Sequence, residues 1–184
     1  MLEIYWTKRE NVHRKVEILL ERKLGKNLEI KRTENGKPYI VGNPLYFSVS
    51  HSSGRAMIAL CDKPVGVDLE IYDKDGRLKN FKHVLSRFSE REQKWIDGSF
   101  VFFFLSWVSK EAYVKMIGGT LAHDLQRLEF YDYNLYCDGK KIDGQAVMAH
   151  FTAGTYALCA EGYSRERLSE CPVIRFRLRK GERI

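Results

Sequence analysis

Trp107-Val108-Ser109-Lys110-Glu111-Ala112-Tyr113-Val114-Lys115 sits inside an apolar run over 100–116 that contains no Pro or Gly and stops before Gly118-Gly119. That pattern predicts one long helix with a glycine terminator. Phe102, Phe103, Leu105, Val108 and Ala112 spread apolar surface around it, as expected of a helix that is largely buried. Trp107, Glu111 and Lys115 recur every four residues and share a stripe, with Lys110 beside it. A buried central helix needs apolar sheets to lie against, and the flanking sequence supplies candidate strands on both sides.

Upstream, Val12, Val16, Leu19, Leu20 and Leu24 fall at helical spacing before Gly25, predicting an amphipathic helix over about 9–24. Strand candidates follow at 28–32, 45–50, 56–61 and 65–71. They are separated by turn chemistry at Glu34-Asn35-Gly36-Lys37-Pro38, Ser52-Ser53-Gly54 and Asp62-Lys63-Pro64. Shorter helices are expected at 78–85 and 89–95, and strands return at 128–133, 145–151, 155–160 and 173–178. The class is α+β. A helix followed by strands occurs twice, which suggests two similar halves, 1–75 and 76–184.

With 184 residues, 44% hydrophobic and 30% charged, the chain can bury a full core and has the composition of a folded globular protein. The longest strongly apolar run, 100–105, is far below the roughly 18 residues that span a bilayer, and the first ten residues lack a signal pattern. The expectation is a cytoplasmic protein with no membrane association. Cys61, Cys137, Cys159 and Cys171 include no close pair, so they read as reduced, partly buried residues. A formal charge of +7 favours an anionic partner: nucleic acid, a phosphorylated small molecule or an acidic protein. Arg175, Arg177 and Arg179 alternate with Ile174, Phe176 and Leu178, as in a strand with one wet basic face.

In a strand, Asp68 and Glu70 of Gly66-Val67-Asp68-Leu69-Glu70 project from the same face. Two carboxylates so placed suit a hard cation such as Mg2+, and Gly66 permits a close backbone approach beside them. Taken alone, the pair more readily reads as solvated carboxylates at a strand end. On the long helix, Glu111 can supply a third carboxylate or accept a proton, and Lys115 can neutralise phosphate charge. The plain alternative is an exposed i,i+4 ion pair, although the apolar surroundings make that less comfortable. In Phe47-Ser48-Val49-Ser50-His51-Ser52, the hydroxyls and His51 end a strand before a glycine turn, where a phosphate can be met. Lys37, His13 and Arg14 read either as anion contacts or as solvated residues. Together these clusters suggest metal-dependent phosphoryl chemistry.

The ordered set Gly36-Lys37-Pro38, Phe47-Ser48-Val49-Ser50-His51-Ser52, Gly66-Val67-Asp68-Leu69-Glu70 and Trp107-x-x-Lys110-Glu111-x-x-x-Lys115 resembles the 4'-phosphopantetheinyl transferases of the surfactin-synthetase-activating type. Arg87-Phe88-Ser89 and Gly118-Gly119-x-Leu121 extend the likeness, which runs from about His13 to Leu121. Val108 departs from it, since such proteins often carry Ser, Thr or Cys after the Trp. The resemblance implies a monomer of two similar α+β halves with the active site in the cleft between them. It also implies transfer of the 4'-phosphopantetheine group of coenzyme A to a serine of an apo acyl, peptidyl or aryl carrier protein, releasing 3',5'-ADP. Asp68, Glu70 and Glu111 would then hold Mg2+ or Mn2+. Glu111 would take the serine proton, and Lys115 would stabilise charge and protonate the leaving group. Lys37, Ser50, His51 and Lys115 would contact coenzyme A, with Arg14 and Lys15 approaching the same nucleotide. The partner would be a carrier with an acidic surface and not a nucleic acid.

Two other readings use the same residues. A Mg-dependent nuclease suits the charge, but such sites usually set the acid and lysine two apart on a strand, whereas Glu111 and Lys115 are four apart on a predicted helix. A non-catalytic basic binding module would have no need of three carboxylates and Lys115.

Overall fold

The computed structural model describes residues 1–25, 27–42, 45–72, 83–151 and 154–184, with the backbone alone for 145–151. Its α+β architecture rests on two larger sheets. The first has the order β12-β1-β5-β4, formed by Leu2–Lys8 (β1), Tyr46–Ser52 (β4), Arg55–Cys61 (β5) and Val173–Arg175 (β12). The second has the order β10-β11-β6, from Val65–Ile71 (β6), Gln145–Phe151 (β10) and Gly154–Ala160 (β11). Ile30–Arg32 (β2) and Pro38–Ile40 (β3) form a hairpin, and Leu128–Tyr131 (β7), Asn134–Cys137 (β8) and Lys140–Lys141 (β9) form a small meander. β6 pairs with β11 from Ile71↔Gly154 to Val65↔Ala160, and β12 runs parallel to β1. Backbone ladders thus join residues on either side of position 75. That position, and the predicted helix over 78–85 except its helical end at 83–85, lie outside the described residues.

Helix α1, Val12–Leu24, lays Val12, Val16, Leu19 and Leu20 on one face of the first sheet, against Phe47, Ala56, Ile58 and Leu60. The alternate residues of β5, Met57 and Ala59, meet Val67 and Leu69 of β6 and Leu158 of β11 on the other face. Strand periodicity thus divides each strand between two cores. β1, β3, β8 and β9 have no counterpart among the predicted strands. β12 ends at Arg175, so the basic alternation over 174–179 forms only a short edge strand.

The long helix, α3, spans Phe100–Ile117. Ser99 caps its start by accepting from the Phe102 N–H, and Gly118 ends it in the left-handed region at φ 73° with its N–H on the Val114 carbonyl. Val108 and Ala112 pack on Ala157 and Cys159 of the second sheet, while Leu105 meets Phe130 and Leu135 of the meander. Gly66 makes the approach to β6 possible: a Cβ there would collide with the Ala112 carbonyl oxygen and the Met116 nitrogen. Among the described residues no helix is long and apolar enough to cross a membrane. All four cysteines are free.

Lys110 takes no part in the carboxylate cluster. Its ammonium and the Glu92 carboxylate are both 0% exposed and form an ion pair, Nζ to Oε1, of 2.6 Å. This is a charge–charge contact that lacks the alignment of a hydrogen bond, and the ammonium also lies 3.7 Å from the centroid of the Phe88 ring. Glu92 belongs to α2, Glu90–Ile96, where it completes a capping box with Ser89. Its Oε1 also accepts from the Phe130 N–H at 2.8 Å and the Ser106 hydroxyl at 3.1 Å. One buried carboxylate therefore ties α2, α3 and β7 together. Removing one partner of such a pair strands a buried charge, so Lys110→Met is expected to cost about 3 kcal/mol or more. Urea unfolding checks this: Glu92→Gln combined with Lys110→Met should recover part of the loss, and a single variant as stable as wild type would disprove the pinning role.

Candidate active site

β4 and β6 lie side by side at the edges of the two sheets, and among the described residues no backbone ladder joins them. Three serines on one face of β4 bridge the gap. Ser48 accepts the Val67 N–H at 3.1 Å, Ser50 the Leu69 N–H at 3.2 Å and Ser52 the Ile71 N–H at 2.9 Å. The intervening β6 residues, Gly66, Asp68 and Glu70, lie on its other face, the side where α3 passes Gly66. The alternation read in the sequence thus places both carboxylates on one side of β6, with α3 carrying Glu111 and Lys115 over them.

Asp68 is 4% exposed. Its Oδ1 accepts from the Ser50 hydroxyl at 2.7 Å and from Lys115 Nζ at 2.6 Å, and Lys115 also reaches Ser50 Oγ at 3.2 Å. Asp68 Oδ2 is buried without a hydrogen-bond partner. Glu70 Oε2 accepts from the Ser52 hydroxyl at 3.0 Å. The Glu111 carboxyl is pushed up from the usual 4.5 to about 7, chiefly by burial and then by the Asp68 charge, with Lys115 opposing both. Glu111 and Asp68 are therefore near enough to repel.

Hard-cation chemistry suits this arrangement. One oxygen of Asp68 is saturated by protein donors, the other is buried and unpaired, and a second carboxylate alongside resists carrying its charge. A dication would relieve both, and Mg2+ typically takes only one or two protein carboxylates. Among the described residues, no three His, Cys, Asp or Glu side chains converge as a complete ligand group. Asp68 and Glu111 form the interacting pair, while Glu70 is held by Ser52.

A cleft of about 600 Å³ adjoins Lys115, lined among others by His13, Arg32, Lys37, His51 and Gly118. His51 is exposed, on the opposite face of β4 from the serines. Lys37 donates to the Met116 carbonyl, and burial lowers its proton affinity. Asn35 donates to the Gly118 carbonyl at 2.9 Å. The β2–β3 hairpin thus caps the C-terminal carbonyls of α3. Ser50 is used up within the protein: it donates once and accepts twice, the full capacity of a hydroxyl.

Arg14 and Lys15 do not line this cleft, although Glu17, a partner of Arg14, does. Arg14 pairs with Glu17 and Glu21, each at 3.0 Å, which raises its proton affinity. Lys15 is buried with its ammonium on the carbonyls of Lys8 and Glu10, at 2.8 and 2.6 Å, beside a separate groove that Lys8, Arg55 and Arg175 also line. Arg32 and Ser48 have no role of their own in the sequence reading, and Ser52 reads there as a hydroxyl that could meet a phosphate rather than as a link to β6. The Ser-x-Ser-x-Ser alternation in β4 was the available signal for the two serines.

Residues 64–160 match the family model described as the 4'-phosphopantetheinyl transferase superfamily. A 4'-phosphopantetheinyl transferase of Bacillus subtilis is 34% identical over 92 residues, covering 48% of this chain and 41% of that protein. The 4'-phosphopantetheinyl transferase AcpT of Salmonella typhi is 34% identical over 108 residues, covering 56% of each. The L-aminoadipate-semialdehyde dehydrogenase-phosphopantetheinyl transferase of Pongo abelii is 32% identical over 120 residues, covering 56% of this chain and 39% of the relative. The matched stretch thus spans between 39% and 56% of the length of these relatives. The family match runs from the start of β6 to the end of β11 and takes in both elements that carry the carboxylates and Lys115, so the chain belongs to the 4'-phosphopantetheinyl transferase superfamily.

Proposed function

We propose that the protein transfers the 4'-phosphopantetheine group of coenzyme A to a serine hydroxyl of an apo carrier protein, releasing 3',5'-ADP, as an enzyme of the surfactin-synthetase-activating type. The observation that carries this reading is the Lys115–Asp68–Glu111 arrangement, with its unpaired buried Asp68 Oδ2, beside a cleft lined by basic side chains. Asp68 and Glu111, with Glu70 on the same face of β6, would hold Mg2+ or Mn2+. The ion would supply Lewis-acid neutralisation of pyrophosphate charge.

The remaining work falls to the chain's own groups. Glu111 would accept the carrier serine proton. Lys115 would offset charge as it develops on the phosphoryl oxygens and donate to the departing 3',5'-ADP. Lys37 and His51, with His13 and Arg32 along the same cleft, would bind the phosphates of coenzyme A. The charge of +7 would steer an acidic carrier towards the enzyme. A monomer of two α+β halves working in the cytoplasm completes the proposal.

Intact mass of an apo carrier protein, incubated with the enzyme, coenzyme A and Mg2+, tests it directly. The expected result is a gain of one phosphopantetheine arm that EDTA, Asp68→Asn and Glu111→Gln each abolish. No gain with acyl, peptidyl and aryl carriers would refute it.

A second prediction concerns pH. In the folded, metal-free protein the Glu111 carboxyl holds its proton up to about 7, whereas the unfolded chain releases it near 4.5. The folded state binds more protons between those values, so this group's contribution to stability declines as pH rises from about 4.5 to 7 and then levels off. Thermal melts in EDTA from pH 5 to 8 should show Glu111→Gln losing that decline and melting a few degrees higher than wild type at pH 8, since ~1 kcal/mol corresponds to roughly 2–4 °C at this size. Parallel curves would rule it out.

A further inference from the structure

The serines of β4 form one module repeated three times. Each hydroxyl accepts an N–H from β6, at Val67, Leu69 or Ile71, and each such residue is preceded by one on the opposite face of β6: Gly66, Asp68 or Glu70. A hydroxyl has a single proton. With a lone pair committed to the N–H, the hydroxyl gives that proton to the preceding side chain where one exists. Ser50 gives it to Asp68 Oδ1 at 2.7 Å and Ser52 to Glu70 Oε2 at 3.0 Å. At Ser48 the corresponding residue is Gly66, which has no side chain to receive it.

From this we infer that Ser52 is a positioning residue of the cation site, presetting the Glu70 carboxylate as Ser50 presets Asp68. The inference rests on the metal reading proposed above. Both hydroxyls are buried, Ser50 at 5% and Ser52 at 3% exposure, and Glu70 at the second contact is partly buried. Fixing one oxygen of each carboxylate orients the other. At Asp68 the consequence is visible: Oδ1 is saturated and Oδ2 is left buried and unpaired. Ser52 is tested in preference to Ser50 because Ser50 directly holds Lys115.

Ser48 separates positioning from mere structure. Ser48→Ala and Ser52→Ala each remove one N–H acceptor from the seam between β4 and β6, but only the second releases a carboxylate. Mn2+, detected by the loss of its free-ion EPR signal, is a suitable probe that needs neither coenzyme A nor turnover. Ser52→Ala is expected to bind Mn2+ about 10-fold or more weakly than wild type, in the range typical of lost outer-shell partners of metal ligands. Ser48→Ala should stay within about 2-fold of wild type, with a comparable drop in unfolding midpoint, and Ser52→Thr, which keeps the hydroxyl, should restore affinity. Wild-type Mn2+ binding that needs Asp68 but survives Ser52→Ala unchanged overturns the positioning role alone. Absence of Asp68-dependent Mn2+ binding in wild type overturns the metal reading and the positioning role with it.

Discussion

Side-chain hydroxyls, not a backbone ladder, join the two sheets beside the carboxylates of β6. Had β4 and β6 paired backbone to backbone, the neighbouring strand would have come within about 4.8 Å and taken up the amide groups that the serines now satisfy. The wider seam keeps every buried N–H of β6 at 67, 69 and 71 bonded. It also gives two of the three hydroxyls a second role on a carboxylate. The same atoms close the fold and shape the site, so a change in the seam reaches the carboxylates without passing through any other element.

The opposite wall is α3, and its height over β6 is set from both sides. Gly66 removes the side chain that would hold the helix off the strand. Lys110, one residue before Glu111 and therefore about 100° around the helix, is anchored to Glu92 in the packing between α2 and β7. This explains why Glu111 is buried enough, and close enough to Asp68, to hold its proton near neutrality. A helix free to lift or roll would let water in, and the shift would fade.

Much of this was legible in the sequence because it follows from period and termination. The uninterrupted run over 100–116, with its glycine stop, marked α3, and the two-residue period of 66–70 placed Asp68 and Glu70 together. The partner of a buried ion was not legible. Lys110 has the same local context as Glu111 and Lys115, and only the packing of Glu92, 18 positions upstream, separates its role from theirs. Arg14 reads either as an anion contact or as a solvated residue and Lys15 enters through the family resemblance alone; in the folded chain Glu17 and Glu21 engage the first and two carbonyls the second. The division at residue 75 followed the twofold occurrence of a helix followed by strands; β6 pairs with β11 some 90 residues later in the sequence, a non-local pairing that no local pattern encodes.

The β2–β3 hairpin completes the coupling between cleft and carboxylates. Lys37 and Asn35 satisfy the carbonyls of Met116 and Gly118, which the end of α3 leaves without helical partners. Lys37 lines the cleft as well. An anion drawing the Lys37 ammonium into the cleft would weaken its hold on the last turn of α3, the turn that carries Lys115. Lys115 is in turn held by Asp68 and Ser50. On the proposed function, anion binding in the cleft and the position of Lys115 would be linked through one short stretch of helix.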